Sequence, residues 1–193
     1  MSFSRHYYEP SPSTHSGLWV MEYPVHGDSR GCFASPIVMD DDTPTDLRVK
    51  IVQTNFSISC YGTTRGVHAE PWDKQITVIK GEVLAAIVNM RDPEHFGSVC
   101  TIRIKPGICI HVPNGFGNSF QVLSEEAIYS YAVTDVWKPG IIYPAINPYD
   151  EDLAIPWIVP VEKVILSDKD LHNPLLKQAL QQRLNQDQTH IIQ

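Results

Sequence analysis

Apolar runs only a few positions long punctuate the chain from about Leu18 to Pro160. Lys50-Ile51-Val52, Gln75-Ile76-Thr77-Val78-Ile79, Val83-Leu84-Ala85-Ala86-Ile87-Val88 and Thr101-Ile102-Arg103-Ile104 alternate with Gly, Pro, Asn and Asp breaks, the pattern of short strands and turns. Lys80-Gly81-Glu82 and Lys105-Pro106-Gly107 carry the residues that tight connections need. Many short strands with almost no helical period between them predict an all-β sandwich or jelly-roll barrel. The exception is the C-terminus, where Asn173 can cap and Pro174 can open a short helical segment with Leu176, Leu180 and Leu184 on one face. That spacing signals packing rather than chemistry. Residues 185–193 read as a polar, fraying tail whose final Ile191-Ile192 pair is able to dock. There is no internal repeat.

At 193 residues the chain suits one domain, 1–193, with a full core. Its 42% hydrophobic and 19% charged content is that of an ordinary globular protein. A net charge of -7 argues against nucleic acid or an anionic membrane as partner, because both reward a basic surface. An anionic ligand would therefore have to meet a local cluster of Arg and Lys. Met1 to Gly17 lacks the apolar segment of a secretion signal, and no stretch approaches the roughly 20 apolar residues of a membrane span, so a cytoplasmic location is expected. Cys32, Cys60, Cys100 and Cys109 form no close-spaced pair, and buried free thiols are expected.

Three segments carry candidate chemistry. In Thr64-Arg65-Gly66-Val67-His68-Ala69-Glu70-Pro71-Trp72-Asp73-Lys74, strand alternation places Gly66 and His68 on one face, where a small neighbour leaves room for a ligand. A guanidinium three residues before His68 and an ammonium six after favour a ligand pocket over a structural histidine. In the second segment, Pro113-x-Gly115-x-x-Asn118 reproduces the second motif of the cupins, with Asn118 where a metal-binding histidine normally stands. The His-x-His of the first cupin motif is reduced to His68-x-Glu70. An amide oxygen is a poor ligand for the transition metals that metal cupins hold with three imidazoles, so metal-dependent oxygenase chemistry is disfavoured and no metal is expected. In the third segment, Tyr129 and Tyr131 point the same way along a strand. They are either a packing pair or include one phenol serving as an acid, with Trp137 offering a flat face to a nucleobase.

Together these motifs resemble the dTDP-4-dehydrorhamnose 3,5-epimerase, or RmlC-like, family. The resemblance is collinear through Gly27-Asp28-Ser29-Arg30-Gly31-Cys32-Phe33, Val52 to Ser57, Arg65-Gly66-Val67-His68, Asp92 to Gly97, Pro113 to Leu123 and Leu166-Ser167-Asp168-Lys169-Asp170. It implies a cupin jelly-roll barrel and a cofactor-free epimerase. Such an enzyme inverts C3, C5 or both of a nucleotide-diphospho-4-keto-6-deoxyhexose, in the biosynthesis of a deoxysugar for O-antigen, another polysaccharide or a natural product. His68 would be the general base, with Asp170 fixing its tautomer, Lys74 would stabilise the enolate, and Tyr131 would return a proton from the opposite face. Arg65 and Arg30 would grip the pyrophosphate, Gln53, Asn55 and Asn118 would hydrogen-bond the ligand, and Trp137 would stack on the base. The resemblance also implies a homodimer in which Arg30, on N-terminal strands reaching across, serves the partner's site.

The chain departs from the family pattern at Asn118-Ser119, Val136-Trp137 and Ser35, all in expected nucleotide and sugar contacts. The proton-transfer set is intact, so the reaction class is better specified than the substrate. A dTDP, CDP or GDP sugar is compatible, and single inversion on a less usual nucleotide sugar is slightly favoured. The alternatives are a 3,4-ketoisomerase of similar architecture, which also works through an enol, and a non-catalytic sugar-nucleotide binding cupin. The physical requirement is independent of the family: a carbon acid beside a ketone is too weak for an imidazole of pKa about 6.5 unless the enolate is stabilised. A base, an electrophile and an acid across the ring are therefore the minimum set.

Overall fold

The structure is a computed structural model describing residues 5–191, with side chains described as far as Asn185. Twelve strands form it: β1 (His6–Tyr8), β2 (Trp19–Glu22), β3 (Val25–Asp28), β4 (Gly31–Ala34), β5 (Gln53–Cys60), β6 (Thr64–His68), β7 (Lys74–Lys80), β8 (Val83–Asn89), β9 (Val99–Ile104), β10 (Ile108–Val112), β11 (Phe116–Val122) and β12 (Glu126–Val133). Two helices follow, α1 (Asp168–Leu171) and α2 (Leu176–Ile191). The strands pair antiparallel into a six-stranded sheet ordered β1-β2-β10-β7-β12-β5, a four-stranded sheet ordered β6-β11-β8-β9, and the separate hairpin β3-β4. The fold is the expected all-β jelly roll. Among the described residues no helix is long and apolar enough to cross a membrane.

The inner faces of the two large sheets share one core. Val20, Ile76, Val78, Ile110, Val112 and Tyr129 from the six-stranded sheet meet Val83, Ala85, Ile87, Ile104, Phe116, Phe120 and Val122 from the other. Tyr129 and Phe120 stack across the gap with ring centroids 4.0 Å apart. Two smaller cores lie outside this sandwich. Met21, Tyr23, Leu47 and Cys109 are covered by the segment before β5, while Val67, Val88, Met90, Ile146, Leu153 and Ala179 are covered by the chain after β12. Covering both faces of β8 explains its uninterrupted apolar sequence, every residue of which is buried.

The three apolar runs from Gln75 onward coincide with β7, β8 and β9, but Lys50-Ile51-Val52 stops short of β5, which opens at Gln53. The C-terminal helix begins at Leu176 rather than Pro174 and continues to Ile191, through positions expected as a tail. Asn173 does not cap it. Its amide donates to Asp170 Oδ1 (3.4 Å), while the amides of Leu175 and Leu176 donate to the Gln178 and Asp150 side chains at 2.8 and 2.5 Å, which meets the need of unpaired amides at a helix start. Ala179 is buried, and Leu176 packs on the outer core, but Leu184 is exposed. The expected docking of Ile191-Ile192 concerns side chains outside the described residues. All four cysteines are free, yet Cys109 alone is buried. Cys32 lies on the detached hairpin and Cys60 on the outer face of β5, an edge strand, so neither is covered.

Gly66 serves a different purpose from the one alternation implies. The register of β6 against β11 shifts between the pairs Phe120↔Arg65 and Asn118↔His68, so Arg65 and His68 each stand opposite an inward-facing residue although three positions separate them. Gly66 sits in the intervening bulge at φ +116, where an added Cβ would lie 2.6 Å from the Asn118 carbonyl oxygen and 2.7 Å from Ser119. It permits strand contact rather than ligand space. Gly66→Ala should destabilise the fold by at least about 2 kcal/mol, since overpacking alone typically costs ~1–3 kcal/mol and the positive φ adds to it. Urea unfolding reads this as a lower midpoint at unchanged slope.

Candidate functional site

His68 ends β6, and Asp170, 102 positions later, reaches it because the C-terminal segment is stitched along the start of the same strand. Thr63 bridges Ile165, and the Thr64 amide donates to the Ile165 carbonyl at 2.9 Å. Ser167 then caps α1 by accepting from the Asp170 amide, which fixes Asp170 beneath the bulge. Its Oδ1 lies 2.7 Å from His68 Nε2, and its Oδ2 accepts from the Gly66 amide at 3.3 Å. The pair is asymmetric: the Asp170 side chain is 6% exposed and the imidazole 32%. The carboxylate is hidden, while the ring faces a cavity. Burial pulls the Asp170 carboxyl upward, but the hydrogen bond and charge of His68, with the Gly66 amide and Ser167, outweigh it and leave the carboxyl below its ordinary range. An ionised carboxylate can only accept, so Nε2 donates to Asp170 and Nδ1 is the ring nitrogen the carboxylate leaves unengaged.

Lys74 opens β7 facing inward, opposite Val112 and Val133. Its ammonium donates to Glu70 Oε2, to Asn118 Oδ1 and, at 3.4 Å, to the His68 carbonyl. Those three acceptors match its three N–H groups. Burial pushes the Lys74 ammonium below its ordinary value, opposed by the Glu70 charge and hydrogen bond. Burial likewise pulls Glu70 upward, and there the attraction of Lys74, with a smaller one from His68, prevails, so this carboxyl is held below its ordinary range. Thus Glu70 and Asn118, which occupy metal-ligand positions of the cupin motifs, are joined here by an ammonium.

Two adjoining cavities complete the site. The larger, about 830 Å³, is lined by His68, Tyr131 and Trp137 together with Trp72, Tyr143 and Pro144, and extends to Lys169, Asn173 and Arg183 near α2. The smaller, about 230 Å³, is lined by Gln53, Asn55 and Val133. Glu70, Trp72, Tyr131 and Trp137 border both. Tyr131 faces Asn55 and Ile76 in the register of β12. Burial raises its phenol above the ordinary value, Glu70 reinforces this, and Arg65 opposes it.

Of the ten residues the sequence singles out, His68, Tyr131, Trp137, Gln53 and Asn55 line this pair of cavities. Asp170, Lys74 and Asn118 stand behind the lining residues. Arg65 rests on Ser59 Oγ through two 3.3 Å contacts and lines neither cavity. Arg30 is paired with Asp28 at the exposed turn of the β3-β4 hairpin, away from both. Tyr129, the other tyrosine of the pair, is a packing residue. Glu70 was read only as a replaced metal ligand, and Trp72 and Tyr143 were given no role. The first two sit in the same short segment as His68 and Lys74, and Glu70 precedes the lysine by four residues. Tyr143 lies in the loop after β12 and packs edge-on against Trp72 at 5.2 Å, a contact without a local sequence signal.

A sequence model of the dTDP-4-dehydrorhamnose 3,5-epimerase family matches residues 13–178. The chain is 38% identical to a protein RmlC homolog of Streptococcus pyogenes, over 83% of this chain and 85% of that one. It is 31% identical to a dTDP-4-dehydrorhamnose 3,5-epimerase of Methanothermobacter thermautotrophicus, over 80% and 86%. Among solved structures, RmlC from Streptococcus suis in complex with dTDP-D-xylose superposes with a TM-score of 0.83 at 34% identity, covering 91% of this chain and 93% of that one. NovW, a 4-keto-6-deoxy sugar epimerase of Streptomyces spheroides, superposes with a TM-score of 0.80 at 26% identity, covering 90% and 89%.

The His68-Asp170 contact generates a stability prediction. Asp170→Asn should cost about 1–3 kcal/mol near neutral pH, because His68 and the Gly66 amide lose an ionised acceptor. The native carboxyl is held below its ordinary value of 3.8, so its contribution is present above that value and lost as pH falls through the lower native one. Urea unfolding from pH 7 to pH 2.5 should show wild type and variant converging only at the acidic end.

Proposed function

Because the chain belongs to the dTDP-4-dehydrorhamnose 3,5-epimerase family, we propose that it inverts C3, C5 or both of a nucleotide-diphospho-4-keto-6-deoxyhexose, acting as one domain and supplying a deoxysugar building block. It is an isomerase, and the reaction needs no bond broken other than C–H. The observation that supports this reading best is a cavity-facing imidazole backed by a buried carboxylate, with a burial-raised phenol lining the same cavity.

In the proposed mechanism Nδ1 of His68 takes the proton from the carbon next to the C4 ketone. The C–H electron pair becomes the C=C bond, and the ketone oxygen becomes an enolate oxygen. Asp170 stabilises the imidazolium that forms. The Lys74 ammonium supplies positive charge as the enolate develops, where low dielectric makes that charge count for more than in water. The Tyr131 hydroxyl delivers a proton to the opposite face, giving the inverted carbon, and solvent reprotonates the phenolate and relieves His68 of its proton. Burial keeps the phenol protonated, the form a donor needs. Gln53 and Asn55, joined by a 2.7 Å hydrogen bond, orient the sugar nucleotide, Asn118 holds the Lys74 ammonium behind the cavity wall, and Trp137 stacks on the base. A dTDP sugar is the preferred substrate because the relatives above are named for dTDP sugars or bind one, and a cytoplasmic reaction, where nucleotide sugars are made, is part of the proposal.

A homodimer is part of this proposal. Phe56 and Ile58, 71% and 57% exposed, lie on the outer face of β5 beside Cys60, and Ile79 of β7 is also bare. An apolar sheet face of this kind marks a contact surface, and a second copy is the proposed occupant, with Arg65 and the partner-directed Arg30 assigned to the pyrophosphate. Light scattering should give a dimer for the wild type and a shift toward monomer for Phe56→Glu. A wild-type monomer at micromolar concentration removes this part of the reading.

The activity test is incubation with dTDP-, CDP- and GDP-4-keto-6-deoxyglucose in deuterated water, followed by NMR. Deuterium at C3, at C5 or at both reads out the specificity, and a product ketone at C3 would indicate a ketoisomerase instead. His68→Ala should lose incorporation by at least ~10²-fold. Tyr131→Phe should impair inversion more than exchange, because abstraction survives while the second delivery is lost. Equal loss of both would count against the assigned donor.

A further inference from the structure

Glu70 belongs to no strand: it lies in the connection between β6 and β7. Of its ion pair with Lys74 it is the member that meets the cavity, its side chain 19% exposed against 4% for the lysine. It borders both lobes at their junction with Tyr131, whereas Lys74 lines neither. A buried ammonium without a counter-ion favours its neutral form, and a neutral amine stabilises an enolate far less than a cation does. Asn118 can hold the ammonium in place through Oδ1, but an amide adds no negative charge.

We propose that Glu70 is a positioning residue for the epimerisation, holding the Lys74 ammonium as a fixed cation behind the junction of the two lobes so that positive charge is in place before the enolate forms. The inference rests on the role proposed for Lys74. The groups facing the pair agree with it. From β6 come the His68 ring and carbonyl, with Asp170 behind the ring and Arg65 toward Tyr131. From β11 comes Asn118, and from β12 come Tyr129 and Tyr131. Glu70 is the one carboxylate within hydrogen-bonding distance of Lys74 Nζ among the described residues. The same carboxylate also favours the protonated Tyr131 phenol, so a single anion keeps both the cation and the acid in their working forms.

The test compares wild type, Glu70→Gln, Glu70→Asp and Lys74→Met by deuterium exchange into the keto sugar between pH 6 and pH 10. Glu70→Gln should lose about 10- to 100-fold in kcat with KM within about threefold. Its loss should deepen with rising pH, because without the carboxylate Lys74 releases its proton at lower pH and the alkaline limb moves down. Glu70→Asp, which keeps the charge on a shorter arm, should recover most of the rate and return the limb toward that of the wild type. Titration of the Lys74 13Cε resonance should place its midpoint lower in Glu70→Gln than in wild type, a readout independent of turnover. A Glu70→Gln profile parallel to wild type at every pH, or a change in KM alone, overturns the proposal. So does an unmoved Lys74 midpoint. If Glu70→Gln does not fold, Glu70→Asp with a wild-type limb and midpoint supports the proposal, and a shifted midpoint without a shifted limb overturns it. Full activity in Lys74→Met would instead remove the enolate role of the lysine and this inference with it, whereas an impaired Lys74→Met beside an unaffected Glu70→Gln overturns only the assignment of Glu70.

Discussion

Asp170 must reach the underside of β6, and most of the local architecture follows from that constraint. The carboxylate arrives on a four-residue helix capped by Ser167, carried by a segment that pairs with the first residues of the strand whose end holds His68. It satisfies the imidazole and the Gly66 amide together, and the second contact is possible only because the strand bulges there. The bulge in turn admits no side chain at position 66. A base anchored in this way loses little orientational freedom on binding a substrate, which is how preorganisation contributes to proton transfer.

The parts of the fold legible in the sequence were those whose environment is uniform. β8 is buried on both faces, so its apolar run stands out, and β7 and β9 follow for similar reasons. β5 is the instructive opposite. Its inward residues Gln53, Asn55, Ser57 and Ser59 are polar, and its outward Phe56 and Ile58 are apolar. That alternation is inverted relative to a strand covering a dry core, because the inner face reaches the cavity and the outer face is bare. Burial patterning therefore identifies a strand there only once both surfaces are known. The helix start was misplaced for a comparable reason, since the amide of its first residue, Leu176, is met by Asp150, 26 positions upstream, beyond any local capping rule.

Site residues divide along the same line. His68, Lys74 and Glu70 lie within seven positions of one another, so their proximity was legible. Asp170 is 102 positions from His68, and only the resemblance to a family connected them. Residue type was a weaker guide than position. Glu70 reads in the sequence as a degraded metal ligand, and Asn118 as another, because the motif expects imidazoles. In the structure both accept from Lys74, a partner that neither motif includes. Arg65 and Arg30 show the converse: their type suits a pyrophosphate, but the single chain leaves one on Ser59 and the other on an exposed turn, so their assignment depends on a second copy.

Charge placement links the site to the reaction more tightly than shape does. The center holds two carboxylates, an imidazole, an ammonium and a phenol in partial or full burial, a combination that would be costly if any charge stood alone. Each carboxylate is paired with a titratable side chain, Asp170 with His68 and Glu70 with Lys74, and each is held ionised despite its burial. At the phenol, burial and the Glu70 charge outweigh Arg65 and drive it toward its neutral form. A base, a cation and an acid are thus separated by environment rather than by residue type, which is how one cavity can run proton abstraction and proton delivery at a single pH. The pairing also sets a limit on change. A substitution that removes one partner strands the other, so the Lys74-Glu70 and His68-Asp170 pairs should respond as units, with each single loss costing nearly as much as the loss of both.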